Sequence, residues 1–257
     1  MKTVLIHLIG GFVVGVLPLV AQSSTSSAFP TDAQLREILA ERIDKYHQSV
    51  GIVVGVIDST GRRTVSYGKF DTDDKRAVDA DTIFEIGSVT KAFTSLLLAD
   101  MVQRGEVALT DPVAKYLPAA VKMPERNGRQ ITLEDLATHT SGLPRLPSNL
   151  HPKDSANPYA DYSVEQLYEF LSGYHLTRDI GSQYEYSNLG GGLLGHVLAR
   201  RAGMDYEKLV RSRICEPLGM RSTGNTLSDE MKTRFAVGHD ADMQRVSHWD
   251  LPTLAGA

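Results

Sequence analysis

Apolar residues recur at helical spacing near the start of the chain, directly after a capping signal. Thr31 is followed three residues later by Gln34, a spacing typical of a capping box at a helix N-terminus. Helical spacing then relates the apolar residues Leu35, Ile38, Leu39, Ile43 and Tyr46. We therefore predict a helix over residues 32–47.

A strand pattern replaces the helical one from residue 51 onwards. Residues 51–57 (GIVVGVI) form a short β-branched run, residues 58–61 (DSTG) have the composition of a turn, and apolar positions alternate over residues 62–69. The pattern predicts a β-hairpin. Since a two-stranded sheet has little stability by itself, we expect later strands to complete the sheet that this hairpin begins.

The rest of the chain has mainly helical periodicity. Further helices are predicted from spans or start signals at residues 88–104, Thr132, Ser163, 189–202 and 206–216. Residues 222–257 carry no strong strand signal. We therefore predict an α/β (α+β) fold with a sheet, flanking helices and an all-helical lobe.

The N-terminal segment has the order of features found in secretory signal peptides. A lysine precedes residues 4–20, which are uncharged and mostly apolar, and a serine-rich stretch follows them. Small residues suited to cleavage stand at Ala21 and Ala28. We predict a signal peptide over residues 1–28 and an exported domain over residues 29–257. A retained membrane anchor is the alternative, because the apolar run is just long enough to span a bilayer.

Composition argues against several classes of function. The chain of 257 residues has a formal net charge of −4 and no basic run that follows a phosphate backbone, so nucleic acid is not an expected partner. Its single cysteine, Cys215, precludes an intrachain disulfide and is interpreted as a core thiol. The histidines have no metal-binding spacing, and phosphate-binding glycine loops are absent from the sequence. We therefore expect no metal and no cofactor.

Ser88 and Lys91 form a Ser-x-x-Lys motif at the start of a predicted helix. Residues three apart lie on one face of a helix, so the lysine amine can reach the serine hydroxyl. The helix N-terminus favours a developing negative charge, and a desolvated lysine can act as a base. Ser66 and Lys69 have the same spacing, but they lie on a predicted strand, where such residues face opposite sides. We therefore assign the chemistry to Ser88.

Tyr186 and Asn188 form a second candidate pair. Alternate residues of an extended segment point the same way, so both side chains can face one cleft. A phenol beside a lysine can transfer a proton, and an amide can hold a substrate carbonyl. The alternative is a polar turn in which Asn188 caps the next helix. The glycines at residues 190–192 are interpreted as sites of close helix packing.

Four segments of the chain resemble those of one enzyme family: residues 84–91 (FEIGSVTK), 136–144 (LATHTSGLP), 181–188 (GSQYEYSN) and 217–220 (PLGM). In this order and spacing they resemble the penicillin-recognising serine hydrolases, which include class C β-lactamases and low-molecular-weight DD-peptidases. The resemblance covers residues 31–257. It is strongest to the AmpH-type branch, whose members are periplasmic D-alanyl-D-alanine carboxypeptidase/endopeptidases. It implies a β-lactamase/transpeptidase-like fold, a periplasmic location, and peptidoglycan peptides and β-lactams as partners.

The resemblance also implies a role for each matching residue. Ser88 would attack the substrate carbonyl and form an acyl-enzyme, with its backbone N–H as one oxyanion donor. Lys91 and Tyr186 would form the proton-transfer network, in which either one is the base, and Asn188 would bind the substrate's amide. The implied activity is that of a D-alanyl-D-alanine carboxypeptidase/endopeptidase. The alternatives are a β-lactamase or an esterase on the same scaffold, or a non-catalytic remnant that binds penicillin or peptidoglycan.

The sequence departs from the family pattern in one respect. The family has a third motif, Lys/His-Thr/Ser-Gly, on a strand well after the Tyr-x-Asn segment. Residues 139–142 (HTSG) precede Tyr186 and are predicted to lie in a loop, so they do not replace that motif. Because residues 254–257 (LAGA) resemble a point before that strand, we expect the domain to be incomplete at its C-terminus.

Overall fold

The computed structural model describes residues 29–59 and 61–257, and the predicted signal peptide over residues 1–28 lies outside the described residues. The helices are α1 (Asp32–Ala40), α2 (Thr90–Gln103), α3 (Leu133–Ala137), α4 (Val164–Gly173), α5 (Asn188–Ala202), α6 (Tyr206–Val210) and α7 (Asp229–Thr233). The strands are β1 (Gly51–Asp58), β2 (Gly61–Gly68), β3 (Glu125–Arg126), β4 (Arg129–Gln130), β5 (Gly238–His239) and β6 (Arg245–Val246). Over the described residues, none of the helices has the length and apolar character needed to cross a membrane.

The N-terminal helix packs against the first hairpin. The capping box predicted at Thr31 is present, since its hydroxyl accepts the N–H of Gln34 and the Gln34 side chain accepts the N–H of Thr31. The chain is α-helical to Ala40 and continues as a π-helical turn to Lys45, slightly short of the predicted end at residue 47. The antiparallel strands β1 and β2 lie within one residue of their predicted bounds.

The first hairpin remains a sheet of its own within the described residues. β1 pairs with β2, and the other strands form two more two-stranded sheets, β3–β4 and β5–β6. The expectation that later strands complete the first sheet is therefore not met in this part of the chain. The strands β5 and β6 lie within residues 222–257, where the sequence carried no strand signal, because two-residue strands are too short to display a period.

The helices α2 and α5 form the centre of the hydrophobic core. Ten of the fifteen residues of α5 are buried, and α2 contributes a buried face that includes Leu97 and Met101. A helix that is apolar on most sides is stable only when other elements cover it, and α2, α3 and α6 all contact α5. This packing brings the N-terminal ends of α2 and α5 together, and both candidate motifs lie at those ends.

Residues 253–257 pack against α2, α5 and α6. The Thr94 hydroxyl donates to the Gly256 carbonyl at 2.9 Å and is hydrogen-bonded to the Tyr206 hydroxyl at 2.7 Å. A Cβ atom added to Gly195 would lie 2.8 Å from the Gly256 Cα atom. Because backbone occupies that space, a side chain at position 195 cannot be accommodated by a simple rotamer change.

We expect Gly195→Ala to destabilise the protein by about 1–3 kcal/mol, since an added methyl group in a packed core forces backbone shifts. Gly173→Ala is the matched control, because a Cβ atom at that helical position meets nothing within 4 Å. That variant is expected to be neutral or slightly stabilising, as alanine is the better helix former. The measurement is the free energy of unfolding in urea. Equal values for the two variants would contradict this account of the packing.

Candidate active site

Ser88 lies in a 3-10 turn, Gly87–Val89, that leads into α2. The sequence predicted a helix from Ser88 itself, whereas the α-helix begins two residues later, at Thr90. Gly87 has a φ of 51°, a left-handed conformation that glycine adopts without strain. Lys91 follows in the first turn of α2, so the motif retains its helical spacing and the serine hydroxyl is exposed.

Ser187, rather than Asn188, caps α5. The Ser187 hydroxyl accepts the N–H of Gly190 at 2.8 Å and donates to the Pro144 carbonyl at 2.6 Å. Asn188 is the first residue of α5, and its Oδ1 atom accepts a hydrogen bond from the Lys91 amine at 3.0 Å. The alternative interpretation of Asn188 as the helix cap is therefore wrong, and its amide is directed at the lysine.

The structure brings the four candidate residues of the sequence into one cluster. The Ser88 Oγ atom accepts a hydrogen bond from the Tyr186 hydroxyl at 2.6 Å and another from the Lys91 Nζ atom at 3.2 Å. The same Nζ atom donates to Asn188 Oδ1 at 3.0 Å. The candidate nucleophile thus has a phenol and an amine within hydrogen-bonding distance, and both are groups of the kind that can take a hydroxyl proton in nucleophilic catalysis.

Two cations lie against the ring of Tyr186. The Lys91 Nζ atom is 4.8 Å from the ring centroid, and the Arg145 Cζ atom is 5.2 Å from it. Burial raises the pKa of the Tyr186 phenol, but hydrogen bonding to Lys91 and Ser88 and the charges of Lys91 and Arg145 outweigh that effect. The pKa therefore lies below its ordinary value of 10.0, which favours proton transfer nearer to neutral pH.

A loop over residues 139–145 holds the segment that carries Tyr186. At the start of this loop, the His139 carbonyl accepts the N–H of Glu185 at 2.8 Å. The His139 Nδ1 atom accepts the N–H of Ser187 at 3.2 Å. The two residues that flank the tyrosine are therefore both anchored on one histidine.

Arg145 anchors the other end of the same segment. Its carbonyl accepts the N–H groups of Asn188 at 3.0 Å and Leu189 at 3.1 Å, which are among the first amides of α5. Neither Arg145 nor His139 was predicted from the sequence to have a role at the site. Sequence spacing alone does not relate this loop to a tyrosine some forty residues later. The one sequence signal that could have pointed to the loop was the resemblance of residues 136–144 to a family segment.

Gly191 leaves the space that the Lys91 side chain occupies. A Cβ atom added to Gly191 would lie 2.9 Å from the Lys91 Cε atom and 3.5 Å from its Cδ atom. A Cβ atom on Gly192 would lie 2.7 Å from the Leu254 Cβ atom. The interpretation of these glycines as sites of close packing agrees with these distances, and at Gly191 the neighbour that packs closely is the Lys91 side chain.

The second Ser-x-x-Lys sequence does not form a comparable cluster. Ser66 lies on β2, and Lys69 follows directly after the strand. The Lys69 amine donates instead to the Thr72 carbonyl at 3.0 Å. The lysine amine is thus bonded to a backbone carbonyl, in agreement with the prediction that this motif carries no chemistry.

A cavity of about 950 Å³ opens beside Ser88. Residues 83–88 line one side of it, and Trp249 is part of another. The tryptophan is half exposed, with its ring centroid 5.5 Å from that of Tyr159. The volume is in the range of small-molecule sites, so the exposed hydroxyl faces a space that can receive a substrate.

Two histidines outside the cluster, His196 and His239, have partners of their own. His196 is hydrogen-bonded to the Tyr168 hydroxyl at 2.8 Å, and His239 lies 3.0 Å from a carboxylate oxygen of Asp71. Within residues 29–59 and 61–257, no three His, Cys, Asp or Glu side chains are grouped so as to hold a metal ion.

We expect Arg145→Ala to raise the pKa of Tyr186, because the substitution removes one of the two cations beside the ring. The pKa is measured by NMR titration of ring-labelled tyrosine, with Tyr186→Phe assigning the resonance. Arg104→Ala removes the same charge at the C-terminal end of α2 and is expected to leave the pKa unchanged. The same Tyr186 pKa in both alanine variants would contradict the assigned role of the guanidinium.

Sequence comparisons relate the chain to one family. The beta-lactamase family model matches residues 35–257. The chain is 36% identical over 219 residues to the D-alanyl-D-alanine-carboxypeptidase/endopeptidase AmpH of Escherichia coli (strain K12), covering 84% of this chain and 55% of that protein. It is 29% identical over 211 residues to a beta-lactamase of Pseudomonas fluorescens, covering 80% of this chain and 55% of that protein. The chain thus spans about half the length of the curated relatives it matches.

A solved structure has the same fold. The beta-lactamase/D-alanine carboxypeptidase from Yersinia pestis complexed with citrate superposes with a TM-score of 0.77 at 30% identity, covering 88% of this chain and 63% of that one. This similarity confirms the predicted fold class, and the match over residues 35–257 confirms the resemblance seen in the four segments. The chain belongs to the beta-lactamase family.

Proposed function

We propose that this protein is a serine hydrolase that acts through an acyl-enzyme, with Ser88 as the nucleophile. The observation that carries the proposal is the pair of hydrogen bonds that Ser88 Oγ accepts from Tyr186 and Lys91, at 2.6 Å and 3.2 Å. A serine hydroxyl is a weak nucleophile until a neighbouring group takes its proton. Lys91 and Tyr186 can each take this proton when their own amine or phenol is deprotonated.

Acylation proceeds by attack of Ser88 Oγ on the substrate's carbonyl carbon. A bond forms between these two atoms, the hydroxyl proton passes to Lys91 or Tyr186, and the carbonyl oxygen becomes an oxyanion. The Ser88 N–H, in the 3-10 turn at the start of α2, supplies one oxyanion donor, and the N-terminal end of that helix favours the negative charge. The tetrahedral species then expels an amine, which takes the proton from the same network.

Deacylation repeats these steps with water. A water molecule gives a proton to the network and attacks the ester carbonyl, and Ser88 regains its proton as the acid product leaves. Asn188, whose Oδ1 atom accepts from Lys91, keeps its amide NH2 group for a substrate carbonyl. The geometry allows either Lys91 or Tyr186 to be the base, and the lowered pKa of Tyr186 makes the phenol a suitable one.

The substrate we propose is the D-alanyl-D-alanine end, or a D-alanyl cross-link, of a peptidoglycan peptide, with β-lactams as alternative acylating agents. The identity to AmpH of Escherichia coli, a carboxypeptidase/endopeptidase by name, supports a peptidase rather than a dedicated β-lactamase, since it exceeds that to the Pseudomonas fluorescens beta-lactamase. The cavity of about 950 Å³ beside Ser88 has room for a peptide end.

A periplasmic location follows as part of the same proposal. Peptidoglycan lies outside the cytoplasmic membrane, and residues 1–28 have the pattern of an export signal. Retention of that segment would hold the protein at the inner membrane, whereas cleavage would release it.

We expect a labelled penicillin to form a covalent adduct at Ser88, located by peptide mapping and mass spectrometry. Ser88→Ala removes the reacting oxygen and is expected to abolish the adduct. Ser66→Ala is the matched control, because Ser66 has the same spacing to a lysine but lies on β2, and it should react like the wild type. Release of D-alanine from a peptide ending in D-alanyl-D-alanine is then measured with the same three proteins.

An adduct at a residue other than Ser88, or none on a protein that unfolds cooperatively, would contradict the proposed nucleophile. Adduct formation without release of D-alanine would retain the nucleophile and reject the peptidase assignment.

A further inference from the structure

His139 contacts the Tyr186 segment in three independent ways. Its carbonyl accepts the N–H of Glu185 at 2.8 Å, and its Nδ1 atom accepts the N–H of Ser187 at 3.2 Å. Its ring lies against the Tyr186 ring, with centroids 4.7 Å apart and an interplanar angle of 41°. His139 thus contacts Glu185, Ser187 and the ring of Tyr186 between them.

The backbone of His139 is held in an uncommon conformation. Its φ is 59°, in the left-handed region that few residues other than glycine adopt, although histidine, asparagine and aspartate do so more often than most. Strained backbone of this kind persists where surrounding structure requires it, and it clusters at functional sites. Here the conformation directs both the carbonyl and the imidazole of one residue toward the same short segment.

The hydrogen bond to Ser187 specifies the protonation state of the imidazole. An Nδ1 atom that accepts an N–H must carry no proton, so the ring is neutral with its hydrogen on Nε2. A protonated imidazole carries hydrogens on both nitrogens and cannot accept this bond. Protonation would therefore release Ser187 and, with it, one restraint on the adjacent phenol.

We propose that His139 is a positioning residue, whose neutral imidazole fixes the Tyr186 phenol on the Ser88 hydroxyl. The inference rests on the proposed function, because it concerns the reaction assigned to Ser88. His139 does not touch the reacting atoms. It acts through the backbone of Ser187 and the face of the Tyr186 ring.

The surroundings of His139 determine the sign of the pH dependence. Burial lowers the pKa of its imidazole below the ordinary 6.5, and the charge of Lys91 lowers it further. The working neutral form is therefore present at neutral pH and is lost as the pH falls through a value below 6.5. The charged and titratable groups that face His139 or its tyrosine partner are Lys91, Arg145, Tyr184, Glu185 and Tyr186.

The test compares two substitutions of His139 in the complete protein. Asparagine tolerates the left-handed backbone, and its Oδ1 atom can accept the Ser187 N–H without titrating. Alanine removes both the acceptor and the ring. The rate of Ser88 acylation and the preceding binding constant are measured with labelled penicillin between pH 5 and pH 8, together with thermal melts.

We expect His139→Ala to lower the acylation rate about 10-fold or more at pH 7.5 with little change in penicillin binding, because a misplaced proton-transfer group costs rate rather than affinity. His139→Asn should retain most of the rate. Dividing the wild-type acylation rate by that of His139→Asn removes the pH dependence of the base that deprotonates Ser88, which both proteins share. This ratio should fall as the pH drops below 6.5. Wild-type rates in both variants, or a ratio that does not change with pH, would overturn the proposal.

A second measurement does not depend on acylation. The ring nitrogen shifts of His139, measured by NMR on labelled protein, distinguish the two neutral tautomers and the cation. Hydrogen on Nε2 alone at pH 7.5 supports the proposal, and hydrogen on Nδ1 overturns it. A wild type that is not acylated would refute the proposed function. The tautomer would still show whether His139 Nδ1 accepts the Ser187 N–H. If His139→Ala does not fold, the asparagine variant and the tautomer decide.

Discussion

The Lys91 amine joins the two halves of the candidate site. It is hydrogen-bonded to Ser88 in its own motif and to Asn188 at the start of α5, and its charge lies 4.8 Å from the Tyr186 ring centroid. An ammonium group has three donors, so these contacts use most of its hydrogen-bonding capacity. The serine hydroxyl, the phenol and the amide are therefore positioned relative to one lysine, and the position of that lysine depends on the rest of the fold.

Two features of the fold determine the position of Lys91. The buried helices α2 and α5 bring the two motifs together, and the lack of a side chain at Gly191 leaves room for the lysine stem. The loop over residues 139–145 then holds the Tyr186 segment from the opposite side through backbone and imidazole hydrogen bonds. Backbone anchoring of this kind reduces the motion of a catalytic group, which is how a rigid scaffold contributes to rate.

Much of this arrangement could be predicted from the sequence. The spacing of Ser88 and Lys91, and of Tyr186 and Asn188, reflects local geometry on a helix and in an extended segment, and local geometry is what a sequence pattern encodes. Strand geometry likewise excluded Ser66. The family relationship supplied the pairing of two motifs that lie far apart along the chain.

Other features could not be predicted, because they depend on contacts distant in sequence. The 3-10 turn around Ser88, the cap at Ser187 and the role of His139 each depend on where neighbouring elements pack. The two-residue strands β5 and β6 have no period to detect. Arg145 appears in the sequence as one more surface cation. Its carbonyl's hydrogen bonds to the N–H groups of Asn188 and Leu189, and its distance of 5.2 Å from the Tyr186 ring centroid, are visible only in the structure.

The most direct test of the account moves Lys91 without removing any functional group. In Gly191→Ala, the new methyl group would lie 2.9 Å from the Lys91 Cε atom, so the flexible side chain must shift while the fold is retained. The measurement is the rate of penicillin adduct formation at Ser88, with Gly173→Ala as the control for the same change in open space. We expect Gly191→Ala to lower the rate by about 10-fold or more, with an unfolding free energy within about 1 kcal/mol of that of the wild type. A wild-type rate in Gly191→Ala would contradict the claim that the position of this lysine determines the reactivity of Ser88.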